Sequence, residues 1–176
     1  NTPCTITAST SINSLVMTGW TNTLTHNSSV TLTIKSGNAS HEKLIFSAGM
    51  TYTKASATAS RMVFSGFGAT YKITLSGKVL GDISIGDSFS STYQLQDAFA
   101  TTGTLSFSQA TLNTNNQTIS CLGFNTNYTT TRSILLGSSV ITVTGTGTVW
   151  NATVVTGLTF NAGTSTIILS NVSSTA

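Results

Sequence analysis

Short runs of alternating apolar and polar residues recur along the whole chain. "VTLTIKSG" (30–37), "DISIGD" (82–87) and "TLSFSQ" (104–109) each place an apolar residue at every second position. A period of two is typical of a strand with one buried face. Most runs end in Gly, Ser or Asn, the residues that form tight turns. The pattern therefore predicts an all-β protein with at least ten short strands.

Two all-β architectures fit many short strands. A β-sandwich pairs them as antiparallel hairpins, and its commonest two-residue turns are Asn-Gly and Asp-Gly. Neither dipeptide occurs in this chain. A β-solenoid instead winds in coils of about 20 residues, and each strand stacks about 4.8 Å above its counterpart. We predict a β-solenoid, similar to a parallel β-helix, with a β-sandwich as the alternative.

The segment "TLSFSQATLNTNNQTISCLGF" (104–124) contains strand, Asn-rich corner and strand without a charge. In a stack of coils, a charged outward residue risks lying over a like charge, whereas Ser and Thr tolerate stacking on one another. Asn113, Asn115 and Asn116 at the corner are expected to hydrogen-bond from coil to coil. Leu122 and Phe124 break the alternation, which indicates a bend or bulge near Gly123. The residues expected to point inward are Leu105, Phe107, Leu112, Ile119, Cys121, Ile134, Leu136, Ile141 and Val143, and those expected to point outward are Ser106, Ser108, Thr118, Ser120 and Thr142.

Composition supports an ordered chain. Of the 176 residues, 36 are Thr and 26 are Ser, only 6% are charged and one is proline. A disordered chain would be richer in charge or proline. No apolar run is long enough to cross a membrane as a helix, so we expect no membrane partner. The seven basic residues are spread along the chain, and the net charge is +3. Nucleic-acid binding needs them clustered, so nucleic acid is not expected as a partner.

The segments "FSAGMTYT" (46–53), "ITLSGKVLGDISIGD" (73–87), "LNTNNQT" (112–118) and "LGSSVITVTGTGTVWN" (136–151) occur in this order, and "QLQD" (94–97) lies between the second and third. The chain resembles, over nearly its whole length, the Gly/Thr/Ser-rich repeat proteins of tailed-bacteriophage virion appendages. The resemblance implies a non-enzymatic structural or receptor-binding protein of a fibre, spike or capsid decoration, located in the virion after assembly in the host cytoplasm. It also implies partners among other virion proteins and copies of the chain itself, with host surface glycans as ligands.

We expect residues 1–176 to form a single solenoid domain. Stacked coils need capping elements at both ends, and neither "NTPCT" nor "SNVSSTA" resembles a cap. The sequence is therefore expected to be a segment of a longer polypeptide or to be capped by a neighbouring subunit. Tyr93 and Phe99 are taken to be apolar residues on the outside, which would favour a homo-oligomer such as a trimer.

An enzymatic alternative is a polysaccharide-degrading tailspike. Glycoside hydrolysis needs two carboxyl groups about 5 to 9.5 Å apart. The acidic residues are Glu42, Asp82, Asp87 and Asp97. Asp82 is expected to face outward and Asp87 to lie at the next corner, and Asp97 could lie one coil from either. We interpret each Asp as a turn cap and assign no catalytic residue.

No motif assigns a cofactor, a metal or a binding residue. His26 and His41 are too few and too far apart for zinc. Trp20 and Trp150 each follow a Gly- and Thr-rich segment, and both are expected to pack at a corner or coil edge rather than to bind a sugar.

Asn-X-Ser/Thr occurs six times, which is close to chance in so Thr- and Ser-rich a chain. It still leaves a third hypothesis open, namely a secreted, glycosylated cell-surface filament subunit with an extracellular location. The six asparagines are Asn27, Asn38, Asn116, Asn127, Asn151 and Asn171.

Cys4 and Cys121 are 117 positions apart. At about 20 residues per coil they are separated by about six coils, or about 28 Å, whereas a disulfide needs Cα atoms within about 7 Å. We therefore predict that they are not bonded to each other, as in a protein assembled in a reducing cytoplasm.

Overall fold

The structure, a computed structural model, describes residues 2–56, 59–86 and 90–176. Within these residues the chain is all strand and has no helix, and its parallel strands stack into a β-solenoid of about seven turns. The predicted solenoid is confirmed, and the β-sandwich alternative is wrong because the hydrogen-bonded strand pairs of the described residues are parallel and join strands of successive turns. Short strands and Gly, Ser or Asn corners thus build coils rather than hairpins.

Each turn contributes one strand to each of three faces. Face 1 is divided between a three-stranded and a five-stranded sheet, while faces 2 and 3 are each one seven-stranded sheet. A small fifth sheet joins two strands at the corner between faces 1 and 2. Face 1 comprises β1 (Cys4–Ile6), β4 (Thr23–His26), β7 (Thr51–Lys54), β10 (Val79–Leu80), β13 (Phe99–Thr101), β16 (Ile119–Cys121), β19 (Val140–Val143) and β23 (Thr166–Leu169); face 2 comprises β2 (Thr10–Ile12), β5 (Val30–Ile34), β8 (Ser60–Phe64), β11 (Ile83–Ile85), β14 (Thr104–Phe107), β17 (Gly123–Asn125) and β21 (Trp150–Asn151); face 3 comprises β3 (Leu15–Val16), β6 (Glu42–Ile45), β9 (Thr70–Thr74), β12 (Thr92–Leu95), β15 (Ala110–Asn113), β18 (Arg132–Leu135) and β22 (Leu158–Asn161); the small sheet pairs β20 (Gly147–Thr148) with β24 (Ser174–Thr175).

The core consists of ladders in which inward residues of successive turns lie in register. Burial of these apolar side chains is the main favourable contribution to such a fold. At the end of the face 2 ladder, Trp150 stacks on Phe124 with ring centroids 4.4 Å apart. That ladder runs through Leu32, Met62, Ile83, Leu105, Phe124 and Trp150.

The predicted orientation of the central strands is confirmed. All nine residues expected to point inward are buried, and none of the five expected to point outward is buried. The assignment of Tyr93 and Phe99 to the outside is wrong: they are 0% and 2% exposed, and each lies in an inward ladder. Tyr93 alternates with the buried Leu95 along β12, so its parity is that of a core residue. Tyr93 and Phe99 therefore offer no exposed apolar surface, and the argument from these two residues for a homo-oligomer no longer holds.

The corners have the predicted bend near Gly123 and the predicted hydrogen bonds between turns at the Asn-rich segment. A bend at Leu122 separates β16 from β17, so the broken alternation near Gly123 marks a passage from face 1 to face 2. At the Asn-rich corner, Asn115 and Asn116 adopt positive φ angles of 53° and 60°. The Nδ2 of Asn115 donates to Leu95 O of the preceding turn (3.0 Å), and the Oδ1 of Asn116 accepts from Ser138 N of the following turn (2.9 Å). The coil-to-coil bonds expected of Asn115 and Asn116 are therefore present. Asn113 differs from the expectation, because its Oδ1 accepts from Asn115 N within the same corner (2.9 Å).

Charge is scarce on the stacked strands. Among the register pairs of the described strands, Glu42 with Lys72 is the one pair of two charged side chains, and the charges are opposite. Hydroxyl groups take the place of charge near strand ends. Thr144 Oγ1 donates to Cys121 O (3.3 Å), and Ser170 Oγ donates to Val143 O (3.2 Å), in each case one turn back. The large content of Ser and Thr thus provides short-range bonds between turns.

Turn length varies more than the sequence suggested. Thr104 pairs in register with Gly123 of the next turn, whereas Val30 pairs with Ser60, so the second of these turns is much longer than the first. The extra residues form longer corners, and two of these corners bind a buried cation that belongs to the strand following the corner. Lys43 is 0% exposed and Arg132 is 1% exposed.

Both buried cations bind backbone oxygens. The Nζ of Lys43 donates to the carbonyls of Ile34, Lys35 and Ser65, and it lies 4.0 Å from the centroid of the Tyr71 ring.

Arg132 serves a second long corner in the same manner. Its Nη1 donates to Thr130 O (3.0 Å) and Thr156 O (2.9 Å), its Nη2 donates to Val154 O, and its Nε donates to Thr126 Oγ1 (2.7 Å). Burial lowers the pKa of the guanidinium from its ordinary value.

Candidate functional site

The structure places the acidic residues apart. Asp82 lies between β10 and β11, at the corner between faces 1 and 2, and Asp97 lies between β12 and β13, at the corner between faces 3 and 1. They belong to the same turn, so the expectation that Asp97 lies a coil away from Asp82 is wrong. Asp87 lies outside the described residues. The structure therefore brings no pair of the described aspartates together at one corner.

Both described aspartates bind the backbone of a neighbouring turn. The Oδ1 of Asp82 accepts from Thr104 N (2.7 Å). The two oxygens of Asp97 accept from Leu75 N (2.8 Å) and Ser76 N (2.5 Å). The interpretation of these residues as turn caps is confirmed, with the difference that each caps a corner of the next or preceding turn rather than its own.

Glu42 and the two histidines are also structural. Glu42 Oε2 accepts from Asn38 Nδ2 (2.7 Å) within the corner between β5 and β6. His26 is buried, and its Nε2 lies 3.0 Å from Val30 O, which requires the proton on Nε2. Its Nδ1 therefore accepts from the hydroxyl of Tyr52 (3.0 Å). His41, at the start of β6, packs edge-on against Tyr71. No group of three His, Cys, Asp or Glu residues that could hold a metal ion occurs among residues 2–56, 59–86 and 90–176.

The two cysteines are free, as predicted. Cys4 is exposed on β1 in the first turn, and Cys121 is buried on β16 in the sixth turn. They are five turns apart rather than six, because the turns between β4 and β8 are longer than the average assumed from the sequence. Burial raises the pKa of the Cys121 thiol to about 12.

The tryptophans occupy different positions. Trp20 lies at the corner between β3 and β4, half-buried against the core, as expected. Trp150 is also half-buried, but it belongs to the inward ladder of face 2 rather than to a corner.

The six asparagines of the Asn-X-Ser/Thr pattern differ in how their side chains are used. Asn38 Nδ2, the atom that would carry a glycan, donates to Glu42. Asn127 Oδ1 accepts from Thr153 Oγ1 (2.6 Å) and Val154 N (2.8 Å). Asn116 Oδ1 accepts from Ser138 N. These three amides stabilise corners.

Rows of hydroxyl and amide side chains run along the outside of the solenoid. On face 3, four Thr and one Ser lie in register over five turns, and on face 2 two Ser are followed by two Asn. The face 3 row is Thr70, Thr92, Thr111, Ser133 and Thr159, and the face 2 row is Ser84, Ser106, Asn125 and Asn151.

A groove opens at the corner between faces 1 and 2 near the end of the face 2 row; we call it the corner groove. It has a volume of about 380 Å³, and its lining includes Thr104, Leu122, Asn125, Thr146, Val149 and Asn151. Its origin is a difference in corner length. One residue separates β16 from β17, whereas six separate β19 from β21, so the longer corner projects over the shorter one. Gly145 N donates to Leu122 O (2.9 Å) and ties the two corners together.

Within the described residues, no helix is long and apolar enough to cross a membrane. Comparison with known proteins found no matching family, no similar curated protein and no similar solved structure.

Proposed function

We propose that this protein is a non-enzymatic structural and adhesive component of a tailed-phage virion appendage, such as a fibre, a spike or a capsid decoration. The appendage projects a rigid rod from the particle, and its outer rows of hydroxyl and amide groups contact glycans on the host surface. Other virion proteins and further copies of the chain are its partners in the particle.

The observation that carries this proposal is the outer row of face 3. Thr70, Thr92, Thr111, Ser133 and Thr159 repeat one chemistry over five turns of a continuously hydrogen-bonded stack. Such a row offers donors and acceptors at a spacing of about 4.8 Å, which suits repeated weak contacts with a polyhydroxylated surface. A stack of parallel ladders also leaves few exposed backbone groups along its sides, which favours resistance to proteases.

The roles of the aspartates favour a structural protein over the polysaccharide-degrading alternative. Asp82 and Asp97 accept backbone N–H bonds from neighbouring turns and lie at different corners. A glycosidase needs two carboxyl groups facing one substrate.

Immunogold labelling tests the proposal. Antibodies against the recombinant protein should decorate an appendage of the tailed particles whose genome encodes this chain, and the recombinant protein should bind cells of the host. Unlabelled particles would contradict the proposal.

Two measurements on the same protein test the alternatives. Release of reducing sugar from host polysaccharide that is lost in Asp87→Asn, Asp82→Asn or Asp97→Asn would favour a tailspike enzyme. Intact mass above that of the polypeptide, mapped to Asn27 or Asn171, would favour a glycosylated filament subunit.

A further inference from the structure

We infer that the corner groove is a binding site for a short segment of an uncharged glycan, such as a di- or trisaccharide unit of a polysaccharide. The inference rests on the proposed adhesive function, which it makes specific by assigning one site and one class of ligand.

The shape of the groove suits a small ligand. Its volume of about 380 Å³ lies within the range of small-molecule sites, roughly 300 to 1,000 Å³. Its two walls come from successive turns, the tight corner at Leu122 below and the projecting corner around Thr146 above. The close contact of these corners depends on Gly145, because a Cβ at that position would collide with the carbonyl oxygen of Leu122 in the tight corner and would lie 3.4 Å from Leu122 C. The walls are therefore held at a fixed separation, which limits the ordering cost of binding.

The chemistry of the lining selects an uncharged ligand. None of the described residues that line the groove has an ionisable side chain. An anionic or cationic ligand would lose hydration there without gaining a partner of opposite charge, which is unfavourable. A sugar bearing only hydroxyl or N-acetyl groups does not meet this penalty.

Hydrogen-bonding groups in the groove are available to a ligand. Asn125 and Asn151 lie in register on adjacent turns. The Oδ1 of Asn125 accepts from Asn127 N, and that of Asn151 accepts weakly from Thr153 Oγ1 (3.4 Å), while neither Nδ2 has a partner among the described residues. Two amide donors one turn apart can therefore reach hydroxyl oxygens on one sugar ring or on two adjacent rings.

An apolar surface faces these donors across the groove. Leu122 is 39% exposed, and Val149 lines the same cavity. Sugar rings present C–H groups on one face and hydroxyls around the edge, so a site with an apolar wall and polar edge groups complements them. Small-molecule sites are usually concave and largely apolar, with a small number of polar groups, and the corner groove has this composition.

Titration of ¹⁵N-labelled protein with free trisaccharides tests the inference. The probes are maltotriose, cellotriose and chitotriose, and trigalacturonic acid is the charged comparison. At least one neutral trisaccharide should shift the side-chain amides of Asn125 and Asn151 and the backbone amide of Gly145, and the acidic one should bind at least tenfold more weakly. If none of the neutral probes shifts these signals, or if the acidic probe binds as well, the inference is wrong.

A variant pair places the ligand in the groove. Thr146→Arg fills the groove from its exposed upper wall and should reduce trisaccharide affinity at least tenfold. Thr118→Arg adds the same side chain at an exposed position outside the groove and should bind as the wild type does. Equal affinity in the two variants would overturn the assignment. Circular dichroism spectra of both should match that of the wild type.

Parallel binding to intact polysaccharide and to host cells separates this inference from the proposed function. Starch, cellulose and chitin particles report binding to polymer, while the free trisaccharides report binding to a soluble sugar. If wild type and Thr146→Arg adhere equally to host cells, adhesion stands and the groove assignment fails. If trisaccharides bind in the groove but the antibodies do not label phage particles and the protein does not bind host cells, the groove assignment stands and the virion proposal fails.

Discussion

Two regions of the same solenoid differ in the length of their turns and in the side chains that their interiors contain. From β10 to β17, which we call the tight region, the turns are short, and the interior is a set of aliphatic and aromatic ladders with Ser, Thr and Asn at its corners. From β4 to β9, which we call the long region, the turns are longer, and the interior contains His26 and Lys43. A further long turn, from β18 to β22, contains Arg132.

The difference has a physical reason. A tight corner returns the chain to the ladder within one or two residues, so nearly every carbonyl finds an N–H of the adjacent turn. A long corner leaves several carbonyls directed inward, and buried carbonyls without partners destabilise the fold. One cation with several N–H donors can bind three such oxygens at once, as Lys43 and Arg132 do. A buried charge therefore accompanies irregularity in this otherwise charge-poor chain.

Replacement of Lys43 should produce the largest loss of stability. Lys43→Met leaves the carbonyls of Ile34, Lys35 and Ser65 without this donor, and we expect a decrease of about 3 to 5 kcal/mol in the free energy of unfolding. Lys72→Met, at an exposed position on β9, should change it by less than about 0.5 kcal/mol. Chemical denaturation followed by circular dichroism measures both. Equal stabilities would mean that the long corners do not need the buried cation.

Glycine substitutions should separate the tight corners from the long ones. In Gly103→Ala the new Cβ would lie 2.8 Å from Asp82 N and closer still to its carboxylate, so we expect a loss of about 2 kcal/mol. In Gly49→Ala, at a corner of the long region, the nearest atom is the side-chain Cγ2 of Thr21 at 3.2 Å, which can adjust. Its loss should stay below about 1 kcal/mol. Denaturation midpoints measure both, and a larger effect at Gly49 would reverse the comparison.

Acid should weaken the long region through His26. Burial lowers the pKa of this ring, so the folded protein keeps it neutral while the unfolded chain takes up a proton below about pH 6.5. The stability from the neutral ring is therefore complete above that pH and decreases as the pH falls, by up to about 1.4 kcal/mol per pH unit. Denaturation at a series of pH values from mildly acidic to neutral should show this slope in the wild type and in the control His41→Gln, and a flatter one in His26→Gln. A slope unchanged in His26→Gln would contradict the assignment.

The smallest effect concerns reactivity rather than stability. Because burial raises the pKa of Cys121 to about 12, its thiolate is scarce near neutral pH, whereas Cys4 is exposed. Iodoacetamide at mildly alkaline pH should label Cys4 in the native protein and label Cys121 only after denaturation, as read by peptide mass mapping. Rapid native labelling of Cys121 would show that the tight region opens, and a Cys4–Cys121 disulfide would contradict the stack itself.

In the tight region, the direction of most side chains could be predicted from the sequence. Strict alternation places Leu105 and Phe107 inward and Ser106 outward, and the Asn-rich corner predicts bonds between coils, which Asn115 and Asn116 make. The same rule holds in β12: Tyr93 shares its parity with the buried Leu95 and points inward, so the prediction that Tyr93 lies on the outside is wrong.

The corner groove, by contrast, could not be predicted from the sequence. It depends on a corner of one residue lying under a corner of six, and the run "TGTGTV" (144–149) that forms the longer one resembles any other corner. Which corners lie next to each other follows from the register of the stack, and no single corner contains that information.

The sequence by itself determined the period of the strands, the side of each strand that is buried and the exclusion of like charges from stacked positions, since each depends on local alternation or on repetition between neighbours. Only the tertiary structure decided where Lys43 points. In "HEKLIF" (41–46) the lysine resembles an outward residue, but a register shift between Glu42 and Leu44 turns both Lys43 and Leu44 inward. The direction of that side chain is set by carbonyls of two other strands, which no local pattern contains.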